Sequence, residues 1–271
     1  MKRFWIAAAV AIASAPALAA DIGVNGLEGQ LSGVTDIRVT VDPDGDWSGV
    51  VGAGAGFAPE FIGSEDYEIT LLPAIDVEWR GAYFFSTQRG LGLNFIRSPS
   101  FKAGPRLTYD FGRDSSKTPF LRGLPNVDGS VEFGIFGDLL LRNFRLKSDL
   151  RKGLQNEGHN AFILNLDAAY GGQANERLRI IVGAFTHYVS EEYMQKYFDV
   201  TVAAAKRPRF TSQGGGFPDL GLYLNMNFSV TERAYLAFTT RGAGLLGDAA
   251  DSPISQQDLQ YFAGLSVGYR F

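Results

Sequence analysis

The chain has 271 residues, of which 25 are basic and 29 acidic, and it contains no cysteine. Disulfides, thiolate metal sites and cysteine nucleophiles are therefore excluded. The mildly acidic balance, without a basic stripe, argues against nucleic acid as a partner. The 33 glycines and the 13% of aromatic residues are high for a soluble domain, and they suit tight turns and aromatic belts at a membrane interface.

The N-terminal region is typical of an export signal. Two basic residues precede an apolar run over residues 4–15, and the small-residue site Ala17-Leu18-Ala19 follows. The apolar run is shorter than the roughly 20 residues that a membrane-spanning helix needs. We expect a cleaved signal peptide over residues 1–19 and an N-terminal periplasmic segment over residues 20–45.

Residues 67–80 alternate between an apolar and a polar face. Ile69 and Leu71 lie on the apolar face, whereas Asp76 and Glu78 lie on the other. The same pattern is found in residues 102–111, 162–170, 220–228 and 259–271, and less regularly in residues 47–58, 82–96, 130–142, 178–190 and 234–245. Alternation over about ten residues is typical of β-strands with one apolar face.

The C-terminus separates a membrane barrel from a soluble sandwich, which would show the same alternation because its apolar faces point to a core. The last strand ends with Tyr269 and Phe271 on its apolar face. This pair resembles the signal by which the barrel-assembly machinery recognises outer-membrane proteins. The sequence therefore predicts an all-β fold, namely an antiparallel transmembrane β-barrel over residues 46–271.

The strand count and the loops follow from the rules for membrane barrels, which have an even strand number, short periplasmic turns, long outer loops and both termini in the periplasm. We count ten strands, or twelve if residues 34–41 form a strand and residues 82–96 break at Arg89-Gly90. Counting back from Phe271, the outer loops are 247–258, 191–219 and 145–160, and the periplasmic segments are 230–233, 171–177 and 113–129.

The segment 113–129 is long for a periplasmic turn, which makes it a candidate contact site for a periplasmic partner. The candidate contact residues are Leu121, Arg122, Gly123, Leu124 and Pro125.

The long outer loop contains apolar residues at helical spacing between residues 191 and 200. These residues are Tyr193, Met194, Tyr197 and Phe198. We expect a short amphipathic helix, which either caps or plugs the barrel mouth or meets a ligand or partner.

The polar residues of the barrel interior are expected to be structural. The lumen-facing charges should pair, because ten strands leave a narrow lumen. They include Asp76, Glu78, Asp110, Glu132 and Asp138. His159 and His187 are the only histidines, and lumen or loop positions explain both. Ser190 and Glu191 follow His187 along an extended strand, which does not produce triad geometry. We predict no catalytic residue, cofactor or metal site.

Several segments resemble the MipA/OmpV family. They are residues 46–64 with the glycine-rich run 50–56, Leu121–Pro125, the step Glu157-Gly158-His159, the aromatic loop 193–200, the run 247–254 and the terminal Tyr269-Arg270-Phe271. Phe61 stands where the family has tyrosine. The resemblance covers residues 46–271.

This resemblance implies a Gram-negative outer-membrane protein, in contact with lipid and assembled by the barrel-assembly machinery. The family is named for a member that interacts with the lytic transglycosylase MltA and scaffolds it to a murein synthase. A scaffold for murein enzymes is therefore the expected function. A small solute channel and a surface adhesin or antigen are the alternatives. No catalytic residues are implied, so we expect no enzyme.

Overall fold

The computed structural model describes residues 46–155, 158–201 and 207–271. The expected signal peptide, the segment 20–45, the alternative strand 34–41 and Glu157 lie outside the described residues. The strands are β1 (Trp47–Pro59), β2 (Tyr67–Trp79), β3 (Tyr83–Ser86), β4 (Gly90–Leu93), β5 (Ile96–Arg97), β6 (Phe101–Asp110), β7 (Ser130–Leu141), β8 (Phe144–Gly153), β9 (Phe162–Gln173), β10 (Leu178–Val189), β11 (Gly216–Ser229), β12 (Ala234–Leu245) and β13 (Leu259–Arg270). The α-helices are α1 (Glu191–Phe198) and α2 (Asp248–Asp251), and a 3-10 helix spans Pro119–Leu121.

The strands form one antiparallel sheet that closes on itself. Apart from β4 and β5, consecutive strands pair with each other, and β1 also pairs with β13. The short strands β4 and β5 follow one another along the same edge and both pair with β6, so the ring has twelve strands. The predicted all-β barrel is confirmed, and of the two expected strand counts the structure has twelve. No helix in the described part of the chain is long and apolar enough to cross a membrane.

The outward face of the barrel is apolar in its middle and aromatic at both ends. Ile69, Leu71 and Leu222 are 73%, 76% and 68% exposed. Aromatic pairs lie at one end (Trp47–Trp79, Trp79–Tyr83 and Phe144–Tyr170) and at the other (Phe57–Tyr67, Tyr109–Phe111 and Tyr188–Phe217). This apolar band between two aromatic girdles is the surface that a barrel presents to lipid.

Inside the barrel, aromatic rings lie across glycines of the neighbouring strands. A Cβ on Gly183 would lie 2.3 Å from Cζ of Tyr223, and one on Gly268 would lie 2.3 Å from Cζ of Tyr235. The same arrangement is found for Phe84 on Gly92, Phe262 on Gly56 and Phe185 on Gly221. The glycines therefore make room for rings that fill part of the lumen.

The two ends of the barrel differ in the length of their connections. Five short turns, at residues 80–82, 98–100, 142–143, 174–177 and 230–233, lie at the end where β1 begins and β13 finishes. The longer connections, which follow β1, β6, β8, β10 and β12, lie at the opposite end. Because periplasmic turns are short, the first is the periplasmic end and the second, the loop end, faces outward.

The prediction of an outer loop over residues 145–160 is wrong. Phe144–Gly153 form β8, which pairs with β7 and β9. This strand alternates Leu146 and Leu150 on its lipid face with Arg145, Asp149 and Arg151 on its lumen face. Its many charges obscured the alternation in the sequence. The expected break in residues 82–96 is confirmed, since β3 and β4 are separated by residues 87–89.

The additional strand also changes the position of residues 113–129. These residues connect β6 to β7 at the loop end, so their expected periplasmic placement is wrong. Strands were counted back from Phe271. Omitting one strand from that count therefore moves every earlier connection to the opposite side of the membrane.

Cysteine labelling tests this sidedness, because the chain has no cysteine of its own. Ser116 and Asn143 are both exposed, the first at the loop end and the second in a periplasmic turn. We expect a membrane-impermeant maleimide to label Ser116→Cys in intact cells, and to label Asn143→Cys only after the outer membrane is permeabilised. The reverse pattern would contradict the orientation.

Candidate functional site

The loop end of the barrel is covered by a packed layer, here called the cap, formed by α1, α2 and the connections after β1 and β6. One apolar cluster contains the buried face of α1 together with Val127, Ile163, Val189 and Ala249. A second contains Phe61, Leu121, Leu124, Val200 and Ile254. Apolar side chains from distant parts of the chain therefore bury one another above the lumen, as in the core of a soluble domain.

Helix α1 forms because its sequence favours that structure. Ser190 precedes it in an extended conformation, Glu191 and Glu192 occupy its first turn and Lys196 its last, which complements the helix dipole. The Ser190 hydroxyl donates to Glu192 at 2.5 Å and lowers the pKa of that carboxyl. The predicted helix over residues 191–200 is confirmed, and all four of its apolar residues are buried.

Three buried ionisable residues converge directly beneath α1. Asp110 ends β6, Glu132 lies near the start of β7, and His159 lies in the connection after β8. Their exposed fractions are 1%, 1% and 0%. His159 Nε2 lies 3.2 Å from Asp110 Oδ2 and 3.2 Å from Glu132 Oε1. We call these three residues the buried triad.

Helix α1 is bonded to the triad. The Tyr197 hydroxyl lies 3.0 Å from both carboxylate oxygens of Asp110, and the Tyr193 ring packs edge-on against the His159 ring at 5.8 Å. Arg113 donates to the Tyr197 carbonyl oxygen at 2.6 Å. The helix and the barrel wall are therefore joined by polar contacts as well as by apolar packing.

A chain of arginines and carboxylates continues from the triad into the lumen. Arg151 contacts Glu132 at 2.9 Å and Asp149 at 2.8 Å, and Asp149 in turn contacts Arg106 at 2.6 Å. Burial of a charge is costly unless it is paired. Here each buried carboxylate has a cationic partner.

The electrostatics of the triad favour a protonated histidine. Burial disfavours the charged imidazolium, but the Asp110 and Glu132 carboxylates outweigh that effect and raise the pKa of His159 to about 9. Burial and the neighbouring Asp110 carboxylate raise the pKa of Tyr197 well above its usual value, so its hydroxyl remains a neutral donor.

Below this network the lumen contains a cavity of about 580 Å³. Its lining extends from the periplasmic turn residues Ser98, Pro99 and Asn143 to Arg106 and Asp149 beneath the cap. The predicted pairing of lumen charges is confirmed for Asp76 with Arg89 at 2.5 Å, Glu78 with Lys102 at 3.1 Å and Asp138 with Arg145 at 2.5 Å.

The second histidine lies in the lumen and has a different partner from those considered in the sequence. His187 Nδ1 lies 2.6 Å from Asp219 Oδ1. The Ser190 hydroxyl instead contacts Glu192 and accepts a hydrogen bond from the Phe162 backbone N–H at 3.1 Å. The expectation that the protein is not an enzyme stays a prediction.

The residues predicted for partner contact and for barrel assembly lie at opposite ends of the barrel. Leu121 and Leu124 are buried in the cap, whereas Arg122, Gly123 and Pro125 lie on its surface. Tyr269 and Phe271 lie on the lipid face at the periplasmic end, 44% and 43% exposed.

The buried triad was not predicted from the sequence. The sequence did indicate Asp110 and Glu132 as lumen-facing charges, and pairing of β6 with β7 places them diagonally, with Glu132 opposite Thr108 and Asp110 opposite Ser130. The approach of His159 depends on how the connection after β8 folds back over these strands.

A family model described as MltA-interacting protein MipA matches residues 51–271. The chain belongs to this family. It is 23% identical over 242 residues to the outer membrane protein OmpV of Vibrio cholerae, covering 84% of this chain and 88% of the relative. It is 21% identical to the outer membrane protein Omp26La of Vibrio anguillarum over the same shares of both chains. Among solved structures, the COG4313 outer membrane channel from Pseudomonas putida F1 matches 86% of this chain and 98% of that chain, with 12% identity and a TM-score of 0.44.

Family membership, two outer-membrane relatives and a closed barrel with a lipid-facing surface together place this family member in the outer membrane. The cap, the buried triad and the periplasmic turns are therefore features of an outer-membrane protein.

The Tyr197 hydroxyl tests how α1 is held on the barrel. Tyr197→Phe leaves the Asp110 carboxylate without one donor, and a hydrogen bond to a charged group contributes about 2 kcal/mol. We expect hydrogen exchange of the α1 amides to become roughly 30-fold faster, because their local opening becomes easier by that amount. The control is Tyr188→Phe, which removes a hydroxyl from the lipid face and should leave α1 unchanged. Equal exchange in both variants would contradict the role of this contact.

Proposed function

We propose that the protein is a non-enzymatic scaffold, which holds a murein-remodelling enzyme such as a lytic transglycosylase at the periplasmic face of the outer membrane. The observation that carries this proposal is an arginine in or next to each of the five periplasmic turns. They are Arg80, Arg97, Arg142, Arg177 and Arg233, and all are exposed. We call them the arginine rim.

Among the described residues, the arginine rim gives the periplasmic end an excess of positive charge. In the described part of that end, the nearby acids are Asp46, Glu176 and Glu232, and Asp46 pairs with Arg80 at 2.9 Å. Arginine presents a planar fork of donors that suits carboxylates. A partner with an acidic surface therefore fits this end of the barrel.

Two of these arginines occupy a backbone conformation that arginine rarely adopts. Arg80 has a φ of 53° and Arg142 a φ of 55°. Left-handed positions in tight turns are usually taken by glycine, asparagine or aspartate, because a Cβ costs roughly 1–2 kcal/mol there. The presence of arginine at such a position, despite its cost in local stability, indicates that the side chain has a function.

The family name supports an enzyme of murein turnover as the partner, since it describes a protein that interacts with MltA. The cap supports a scaffold rather than a small solute channel, because packed apolar side chains cover the lumen at the loop end.

Charge reversal tests the proposal. We expect the triple variant Arg142→Glu, Arg177→Glu and Arg233→Glu to capture an MltA-type lytic transglycosylase about tenfold less well from detergent extracts, because like charges then face each other. The loss should shrink as salt is raised, since exposed charges are screened.

The matched control reverses three exposed cations at the loop end, namely Lys117→Glu, Arg122→Glu and Arg209→Glu. This control should retain full capture. Loss of capture in the control alone would move the docking surface to the loop end and contradict the proposal, as would unchanged capture by the rim variant. Heat modifiability on gels checks that each variant forms a barrel.

A further inference from the structure

The buried triad has the composition and geometry of a metal site. We propose that Asp110, Glu132 and His159 bind one divalent transition-metal ion, with Zn²⁺ as the representative, and that this ion joins the barrel wall to the cap. The proposal concerns the loop end and does not depend on the scaffold function.

The distances within the triad match those between the ligands of a tetrahedral ion. Bonds of about 2.0–2.2 Å place adjacent ligand atoms about 3.4 Å apart. His159 Nε2 lies 3.2 Å from each of the two carboxylate oxygens, and the three ligand atoms lie within 4.8 Å of one another. A small movement of the side chains therefore suffices to admit the ion.

The oxygens that face away from His159 are held by other groups. Glu132 Oε2 accepts from the Thr108 hydroxyl at 2.7 Å and from Arg151 Nη1 at 2.9 Å. Asp110 Oδ1 accepts from the backbone N–H of Gly112 at 2.7 Å. Each carboxylate thus keeps its other oxygen turned towards Nε2. Such outer contacts are what orient the ligands of a metal.

Hydrogen bonding alone satisfies this arrangement poorly. An imidazole has one N–H at Nε2, and it cannot point at two oxygens on different strands. In the described part of the chain, neither ring nitrogen of His159 makes a hydrogen bond of normal geometry. The ring is fully buried, and its Nε2 is directed between the two carboxylates. An ion in that position replaces the Nε2 proton, which is released to solvent, and contacts all three groups together.

The ligand types indicate the class of ion. A site of oxygens alone suits Ca²⁺ or Mg²⁺, whereas an imidazole ligand favours Zn²⁺ and its neighbours. Arg151 is a cation close to the site, and its guanidinium lies between Glu132 at 2.9 Å and Asp149 at 2.8 Å. The complete burial of all three residues is typical of a structural ion rather than a catalytic one.

The test is isothermal titration calorimetry. The untagged, detergent-folded full chain is titrated with Zn²⁺, and a second sample is titrated with Ca²⁺ for comparison. We expect one Zn²⁺ per chain and much weaker Ca²⁺ binding. His159→Gln should weaken Zn²⁺ binding by more than about 100-fold, because loss of a direct ligand exceeds the effect of losing an outer contact. His187→Gln removes the only other histidine and should bind as the unaltered chain does.

Asp110→Asn keeps the size of the side chain and provides a second variant if His159→Gln does not give a heat-modifiable barrel. It too should weaken binding strongly. Absence of stoichiometric Zn²⁺ binding by the unaltered chain would overturn the proposal. Equal binding by the unaltered chain and by a folded His159 or Asp110 variant would do the same, and loss of binding in His187→Gln would assign the ion to the lumen instead.

Discussion

The structure depends on the closure of its sheet. Backbone amides in lipid have no water to bond with, so a sheet that crosses a membrane must pair every strand edge. Here the pairing of β4 and β5 with β6, together with that of β1 with β13, closes the ring. Closure permits the outward face to be apolar along its whole circumference, and it creates an enclosed lumen.

Polar side chains line that lumen, so its walls do not collapse onto one another. It is also wide enough that side chains must fill part of it. Aromatic rings lying across glycines occupy part of it, and ion pairs such as that of Arg145 with Asp138 line the cavity that remains. At the loop end the cap adds an apolar core of the kind found in soluble proteins. The cap covers the buried triad, so the costly charges are shielded from both lipid and water.

Much of this fold was predictable from the sequence, because period-two alternation reports directly on strands with one lipid face. The strands containing Ile69, Leu222 and Leu265 were found in this way. β8 was missed because its lumen face carries arginines and aspartate that read as a polar loop. Successive connections lie at alternate ends of the barrel, so that single omission placed residues 113–129 at the wrong end.

The sites were less predictable than the strands. The apolar spacing of Tyr193 and Tyr197 was enough to predict α1 and a cap as one of its functions. The buried triad joins residues 22 and 27 positions apart, from Asp110 to Glu132 and from there to His159, and only the tertiary fold of a connection brings the histidine in. The arginine rim was also missed, because it becomes visible only when five separate turns are known to share one end.

Ionic current through the folded protein tests most directly whether the cap closes the lumen. The full chain, inserted into planar bilayers at neutral pH, should give no steady single-channel current, because the packed side chains around Leu121 and Phe198 block the path at the loop end. A steady, voltage-independent current through the unaltered protein would show an open lumen and contradict this account.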